Sequence, residues 1–125
     1  MTLEIYLLVG VGGFVGAPSR YLVDRAVNHR IESDLPLGTF LVNISGSFVL
    51  GLLTGLSLSN HLSPLAKALL GTGFCGAYTT FSTFSYETLR LLEVGQVLEA
   101  ALNAFVSVVV GLLGAVAGFA IGYNF

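Results

Sequence analysis

The stretch Gly71-Thr-Gly-Phe-Cys-Gly-Ala-Tyr-Thr-Thr-Phe-Ser-Thr-Phe-Ser-Tyr-Glu87 lies between the apolar Ala66–Leu70 and the leucines Leu89, Leu91 and Leu92. Three glycines fall within six residues, and five hydroxyl side chains follow from Thr79 to Ser85. Such residues are poor material for the interior of a continuous helix. They suit a helix that stops and restarts. In a membrane, non-helical backbone is tolerated only where protein buries it or where it lines a polar path. Phe81 and Phe84, three residues apart, share one helical face. Function is expected here.

The composition names the environment. Of 125 residues, 54% are hydrophobic and 10% charged, with a mean hydropathy of +0.87. Soluble domains carry about 25% charged residues, so this chain lacks the charge to cover a soluble surface. The run from Leu3 to Val23 holds only Glu4 and Arg20 as charges. Later runs of similar length follow, each near the ~20 apolar residues that a span requires. The first segment is not expected to be a cleaved signal peptide, having no basic leader and too long an apolar core. A net charge of −2 argues against nucleic acid. The single cysteine, Cys75, cannot pair within the chain. His29 and His61 are expected in loops, without neighbours at metal-ligand spacing.

Outward from the central stretch, the chain divides into one all-α integral membrane domain over residues 1–125. Four transmembrane helices are expected, at about 3–27, 37–58, 64–92 and 96–122, the third broken at 76–79. Segment one carries a Gly12/Gly16 pair spaced for close helix contact, and Pro18 should bend it. A polar loop, Asn28–Pro36, precedes segment two, which repeats the small-residue spacing at Gly51/Gly55. Pro64 suits a helix start. Gly114, Gly118 and Gly122 form a stripe on segment four. Four spans put both termini on one side. Arg25, Arg30 and Arg90 lie at one face and Lys67 at the other, which by the positive-inside tendency places the loops after segments one and three in the cytoplasm. So few charges permit insertion in both orientations.

The polar residues at depth admit more than one role. Asn43 lies about 10 Å along segment two at 1.5 Å per residue. Its amide must find partners, either by bonding helix to helix or by facing a polar path. Arg20 either snorkels to the nearby interface or draws anions into a vestibule. Glu87 sits near a mouth or pairs with Arg90. Phe81 and Phe84 are either plain packing or rings whose positive edges face an anion.

Three motifs resemble those of the Fluc/CrcB fluoride channels. They are Gly12-Gly-Phe-Val-Gly16-Ala-Pro-Ser-Arg20-Tyr21, Gly38-Thr-Phe-Leu-Val-Asn43-Ile-Ser-Gly46-Ser-Phe48, and Gly76-Ala-Tyr-Thr-Thr-Phe-Ser-Thr-Phe-Ser-Tyr-Glu87. The motifs lie on the first three segments, the resemblance as a whole covers all four spans in order, and Pro18 is one small departure. The resemblance implies passive fluoride export, and thus fluoride resistance, across a bacterial plasma (inner) membrane. It implies an antiparallel, dual-topology homodimer with two pores, whose copies are expected to meet through glycine stripes and the broken segment. By position, Asn43 would be the pore amide, Phe81 and Phe84 the ring pair, and Ser82, Thr83 and Ser107 the hydroxyl track. Arg20 would lie at a vestibule and Glu87 near a pore mouth. Backbone carbonyls of Gly76 and Thr79 would hold a structural sodium ion (Na+) at the dimer interface. The chemistry is coherent: a small, strongly hydrated anion needs compact donors without a fixed cation that traps it, and weak repeated sites allow entry and exit.

Other function classes fit less well. A small proton-coupled multidrug exporter shares the four short helices and dual topology but needs an embedded carboxylate. Segment one offers only Glu4, at its end. A purely structural subunit would leave the interrupted third segment without purpose. An enzyme lacks a nucleophile–base pair, a metal cluster or a phosphate loop.

Overall fold

The computed structural model describes residues 2–125. Four helices belong to the three apolar segments and to the second half of the interrupted one: α1 (Thr2–Arg30), α2 (Leu37–Leu58), α4 (Phe81–Glu93) and α5 (Val97–Tyr123). Between α2 and α4 lies a composite helix, α3, made of Pro64–Lys67, Ala68–Cys75 and Gly76–Tyr78. Helices α1, α2 and α5 are each long and apolar enough to cross a membrane.

Helix α1 runs unbroken through Pro18 and continues to Arg30. The loop expected from Asn28 therefore begins three residues later, and His29 is helical rather than in a loop. His29 and Arg30 occupy the last turn, where positive groups suit the carboxyl end of the helix dipole. Helix α2 ends in a Schellman arrangement. The His61 N–H donates to the Leu56 carbonyl at 2.8 Å and the Asn60 N–H to Ser57 at 3.2 Å, with Asn60 at φ 65°. Helix α4 ends the same way around Gly95 at φ 85°, a conformation glycine adopts without strain.

At the start of α3, Ser63 Oγ accepts from the Ala66 N–H at 3.1 Å, and Pro64 takes the first helical position. Ala68–Cys75 is wound as a π-helix, a form found mostly as short pieces at functional sites. Gly76–Tyr78 returns to α-helix, and Gly76 itself has φ −61°. Thr79 (φ −81°, ψ 159°) and Thr80 (φ −149°, ψ 123°) are then extended. The interruption thus falls at Thr79–Thr80 instead of across 76–79. The reason is local: two β-branched threonines with side-chain acceptors accept extended geometry more readily than Gly-Ala-Tyr, which stays helical.

The glycine stripes are occupied within the chain itself. A Cβ on Gly51 or Gly55 would overlap the Ala115 or Phe119 carbonyl of α5, and one on Gly118 or Gly122 would overlap the Phe48 or Leu52 carbonyl of α2. Helices α2 and α5 therefore touch backbone to backbone. Gly12 and Gly16 do the same against the Leu69 and Phe74 carbonyls of α3. The expectation that these stripes join two copies is corrected here: the faces are already filled, because small residues on both partners let the chain's own helices close.

Gly118→Leu should split the α2–α5 contact. Its side chain would meet backbone on the facing helix, which cannot rotate away, so a loss of ~3 kcal/mol or more is expected from overpacking. Thermal unfolding in detergent measures it. Gly111→Leu is the control, since a Cβ there meets only Ser47 Oγ at 3.9 Å.

Candidate functional site

The site forms where α2 passes the extended pair. Asn43 Nδ2 donates to the Thr80 carbonyl at 2.9 Å, and the Thr80 N–H donates to Asn43 Oδ1 at 2.8 Å. One side-chain amide thus serves both polar groups of a residue that has left the helix. An α-helix would have sent the Thr80 N–H to the Gly76 carbonyl. That carbonyl loses its helical donor to Asn43. Thr80 is buried, and its hydroxyl caps α4 by accepting from the Thr83 N–H at 3.1 Å. The same hydroxyl donates to Thr83 Oγ1 at 3.1 Å and lies 3.3 Å from Ser82 Oγ.

Nearby contacts hold this geometry. Thr79 Oγ1 donates to the Cys75 carbonyl at 2.9 Å. Ser45 and Tyr78 share a hydrogen bond at 3.0 Å, and the Tyr78 ring stacks on Phe74 with centroids 5.5 Å apart. Gly46 leaves room for the methyl group of Thr79.

A cleft of about 290 Å³ opens beside the pair, bordered by Asn43, Ser47, Thr79, Thr80, Phe81, Phe84 and Ser107. The structure therefore brings Asn43, both phenylalanines and Ser107 together. The two rings sit 6.0 Å apart at 47°. Phe81 is 79% exposed on the protomer. Ser107 Oγ is buried without a hydrogen-bond partner, a state that ordinarily calls for an unseen ligand or water. Asn43 donates one Nδ2 hydrogen to Thr80, and its amide carries a second. Both readings of Asn43, binding helix to chain and facing a polar space, thus coexist in one side chain.

The remaining candidates lie elsewhere. Arg20 and Thr83 border a second cavity, of about 220 Å³, with Asp24, Thr39 and Thr80. Arg20 makes no ion pair among the described residues. Ser82 borders neither space. Glu87 lines a third, open cavity of about 460 Å³ with Asn28, Glu32 and Asp34, and its Oε1 is buried without a partner. Glu87 does not pair with Arg90, which reaches Glu93 instead at 3.2 Å. At i,i+3 that partner lies toward the helix end, where the longer side chain can stay solvated.

Residues not singled out from sequence also take part. Thr80 is the hub, and a hydroxyl residue immediately before an amphipathic helix was the available signal, as an N-cap. Asn103, buried on α5, donates to Thr88 Oγ1 at 2.8 Å. Isolated in an apolar run, it gave no spacing clue to its partner.

Apolar helices gathered around an extended, hydrogen-bonded pair and a donor-lined cleft define a multi-pass helical membrane protein with a polar path. The model of the family described as "CrcB-like protein, Camphor Resistance (CrcB)" matches residues 7–119, and the chain belongs to that family. It is 55% identical over 113 residues to "Fluoride-specific ion channel FluC 1" of Streptomyces avermitilis, covering 90% of this chain and 91% of the relative. It is 46% identical over 119 residues to "Fluoride-specific ion channel FluC" of Campylobacter jejuni strain RM1221, covering 95% and 98%. A relative of the same description from Shewanella sp. strain ANA-3 is 50% identical over 97 residues, covering 78% of each chain. These bacterial relatives are named as ion channels, not enzymes.

Asn43→Leu should strand both buried groups of Thr80. Each unpaired group costs about 1–3 kcal/mol, so the melting temperature in detergent should fall clearly. Asn43→Asp keeps the acceptor for the Thr80 N–H but loses the donor to its carbonyl, and should fall between. Equal melting of all three proteins would remove the amide from this role.

Proposed function

We propose that this chain is a passive, fluoride-selective channel, and that the cleft of Asn43, Ser107, Phe81 and Phe84 is its anion path. The observation that carries this reading is the character of the donors: a spare amide hydrogen, an unpartnered buried hydroxyl and two ring edges, with Arg20 in a different cavity. Fluoride loses hydration only if compact donors replace its water. Neutral donors do so without a permanent charge that would hold the ion. Ser82 and Thr83 turn to Thr80, so their part is to shape the hub rather than to line the cleft. Arg20 draws anions into its cavity as a vestibule, and Glu87 stands at the mouth.

In this reading, the third of four transmembrane spans is the composite of α3 and α4, broken mid-membrane, and both termini share one side. Two copies assemble antiparallel with two pores. Support comes from Gly76, which is exposed and whose carbonyl has lost its helical donor. Such backbone is not tolerated against lipid, so a second copy covers it. The carbonyls of Gly76 and Thr79 suit a hard cation such as sodium, which takes oxygen ligands, and paired copies would supply a fuller set. A bound cation would supply positive potential near the anion path.

Fluoride efflux from proteoliposomes, with chloride as comparison, tests the channel. Comparable chloride passage, or a requirement for a proton gradient, would overturn the reading of a passive, fluoride-selective channel. Phe81→Ile and Phe84→Ile retain an apolar side chain but lose the ring edge. Efflux should fall at least roughly tenfold while dimer fraction by gel filtration is kept, a barrier increase of about 1.4 kcal/mol. Normal efflux in both would leave the rings as packing.

Gly76→Leu separates protomer from assembly. Gly76 has ordinary helical angles, and a Cβ there meets nothing within 4 Å of the same chain. The helical content of the variant should therefore persist, while dimer fraction and efflux fall together. Retention of both would remove Gly76 from the interface.

A further inference from the structure

Helix α2 has no cap of its own. Pro36 occupies its N-cap position and no side-chain bond forms there, although the first N–H groups of a helix lack internal partners. Asn28, in the last turns of α1, supplies one: its Oδ1 accepts from the Gly38 N–H at 3.2 Å. Its Nδ2 donates to Asp24 Oδ1, also at 3.2 Å. The direction is forced. The Gly38 N–H can only donate, so it takes the amide oxygen and leaves the amide nitrogen to donate to Asp24. Asp24 also packs on Gly38 so closely that a Cβ there would overlap Asp24 Oδ1 and come within 2.8 Å of the Asp24 carbonyl. The carboxylate lies at the positive end of the α2 dipole, where negative charge is favoured.

We propose that Asp24 and Asn28 are positioning residues that set the axial register of α2, and thereby aim Asn43 at Thr80. Asn43 lies five positions after Gly38, a rise of about 7.5 Å along one rigid helix. Between them lie Thr39 and Val42, both buried, with Val42 wholly enclosed. The two Asn43–Thr80 bonds, at 2.9 and 2.8 Å, tolerate little displacement. A slip of α2 by ~1 Å takes both beyond good hydrogen-bond range. The α1 clamp and the Thr80 pair thus pin one helix at two points of its length. The inference deepens the channel reading and rests on it for the transport effect, but the register itself is visible without transport.

The experiment compares the unmodified chain with Asn28→Asp, Asp24→Asn and the exchange of both. Asn28→Asp sets two carboxylates against each other and removes the amide donor. The exchange restores the pair with its polarity reversed: a carboxylate at position 28 accepts from an amide at position 24 and from the Gly38 N–H. Two quantities are read, fluoride efflux per reconstituted channel and hydrogen exchange of the Thr80 amide by NMR in detergent. In Asn28→Asp, efflux should fall and Thr80 exchange should rise, each roughly tenfold, the size of one lost hydrogen bond. The exchange variant should return both to within about twofold of the unmodified chain. Thr80 protection unchanged in Asn28→Asp, or unrestored in the exchange, overturns the proposal. So does a result in which the single variants merely lower folded yield while recovered channels conduct normally. An unmodified chain that passes no fluoride overturns the channel reading alone, and the Thr80 amide then still decides the register.

Discussion

The pairing of one side-chain amide with one backbone residue governs this molecule. A residue that leaves a helix in apolar surroundings exposes an N–H and a C=O, and each needs a partner. Asn43 answers both for Thr80. Without that service the extended pair would be expensive, and α3 and α4 would gain by fusing into one helix. With it, Thr80 can cap α4 through its hydroxyl, while the Gly76 carbonyl is released. The break in helical bonding, the cap of α4 and the cleft geometry all draw on this contact.

That contact depends on helices that do not slide. Close backbone approach, α2 on α5 and α1 on α3, supplies the rigidity. In lipid there is no hydrophobic gain from pressing helices together, so dispersion at short range is the main attraction. Glycine permits it by admitting the neighbouring carbonyl. The cost of using small residues inside the protomer is that they cannot also serve an outer interface. In the proposed dimer, association would use what is left exposed around the extended pair: Gly76, Phe81 and Ser82.

Much of this was legible in the residues, for identifiable reasons. Helix boundaries came from apolar run length and from Pro64, a signal that acts locally. The interruption is legible as three glycines followed by hydroxyls, but its place at Thr79–Thr80 is not marked by Gly76. Glycine permits unusual angles without requiring them, and Gly76 is helical. Threonine, which prefers extended geometry, marks the real site. The grouping of Asn43 with Phe81 and Phe84 followed from the family motifs, whereas Ser107 lies beyond the last of them, on the fourth segment. The separation of Thr83 into the Arg20 cavity did not follow from them, because adjacent helix residues point about 100° apart and motif membership hides that rotation. The Glu93 partner of Arg90 and the Thr88 partner of Asn103 depended on side-chain direction and helix apposition, which spacing alone does not give.

The placement of Thr80 against both the Arg20 cavity and the phenylalanine cleft gives the Asn43 pair a second consequence. It forms a wall between a cavity that holds Arg20 together with Asp24 and a cleft lined by uncharged groups. Charge favours concentration of an anion, and for the same reason resists its release. Neutral dipoles favour passage, since each is weak alone and several act in turn. In the proposed path, keeping the guanidinium on one side of a hydrogen-bonded wall would let the attraction act without trapping the ion in the narrow part. An arginine placed among the rings would have given tighter binding and slower escape. The wall is made of backbone and one amide, groups that carry no net charge and cannot be titrated away. In the proposed path, selectivity would arise from how closely the donors approach the ion, a closeness that depends on Asn43 being held in register.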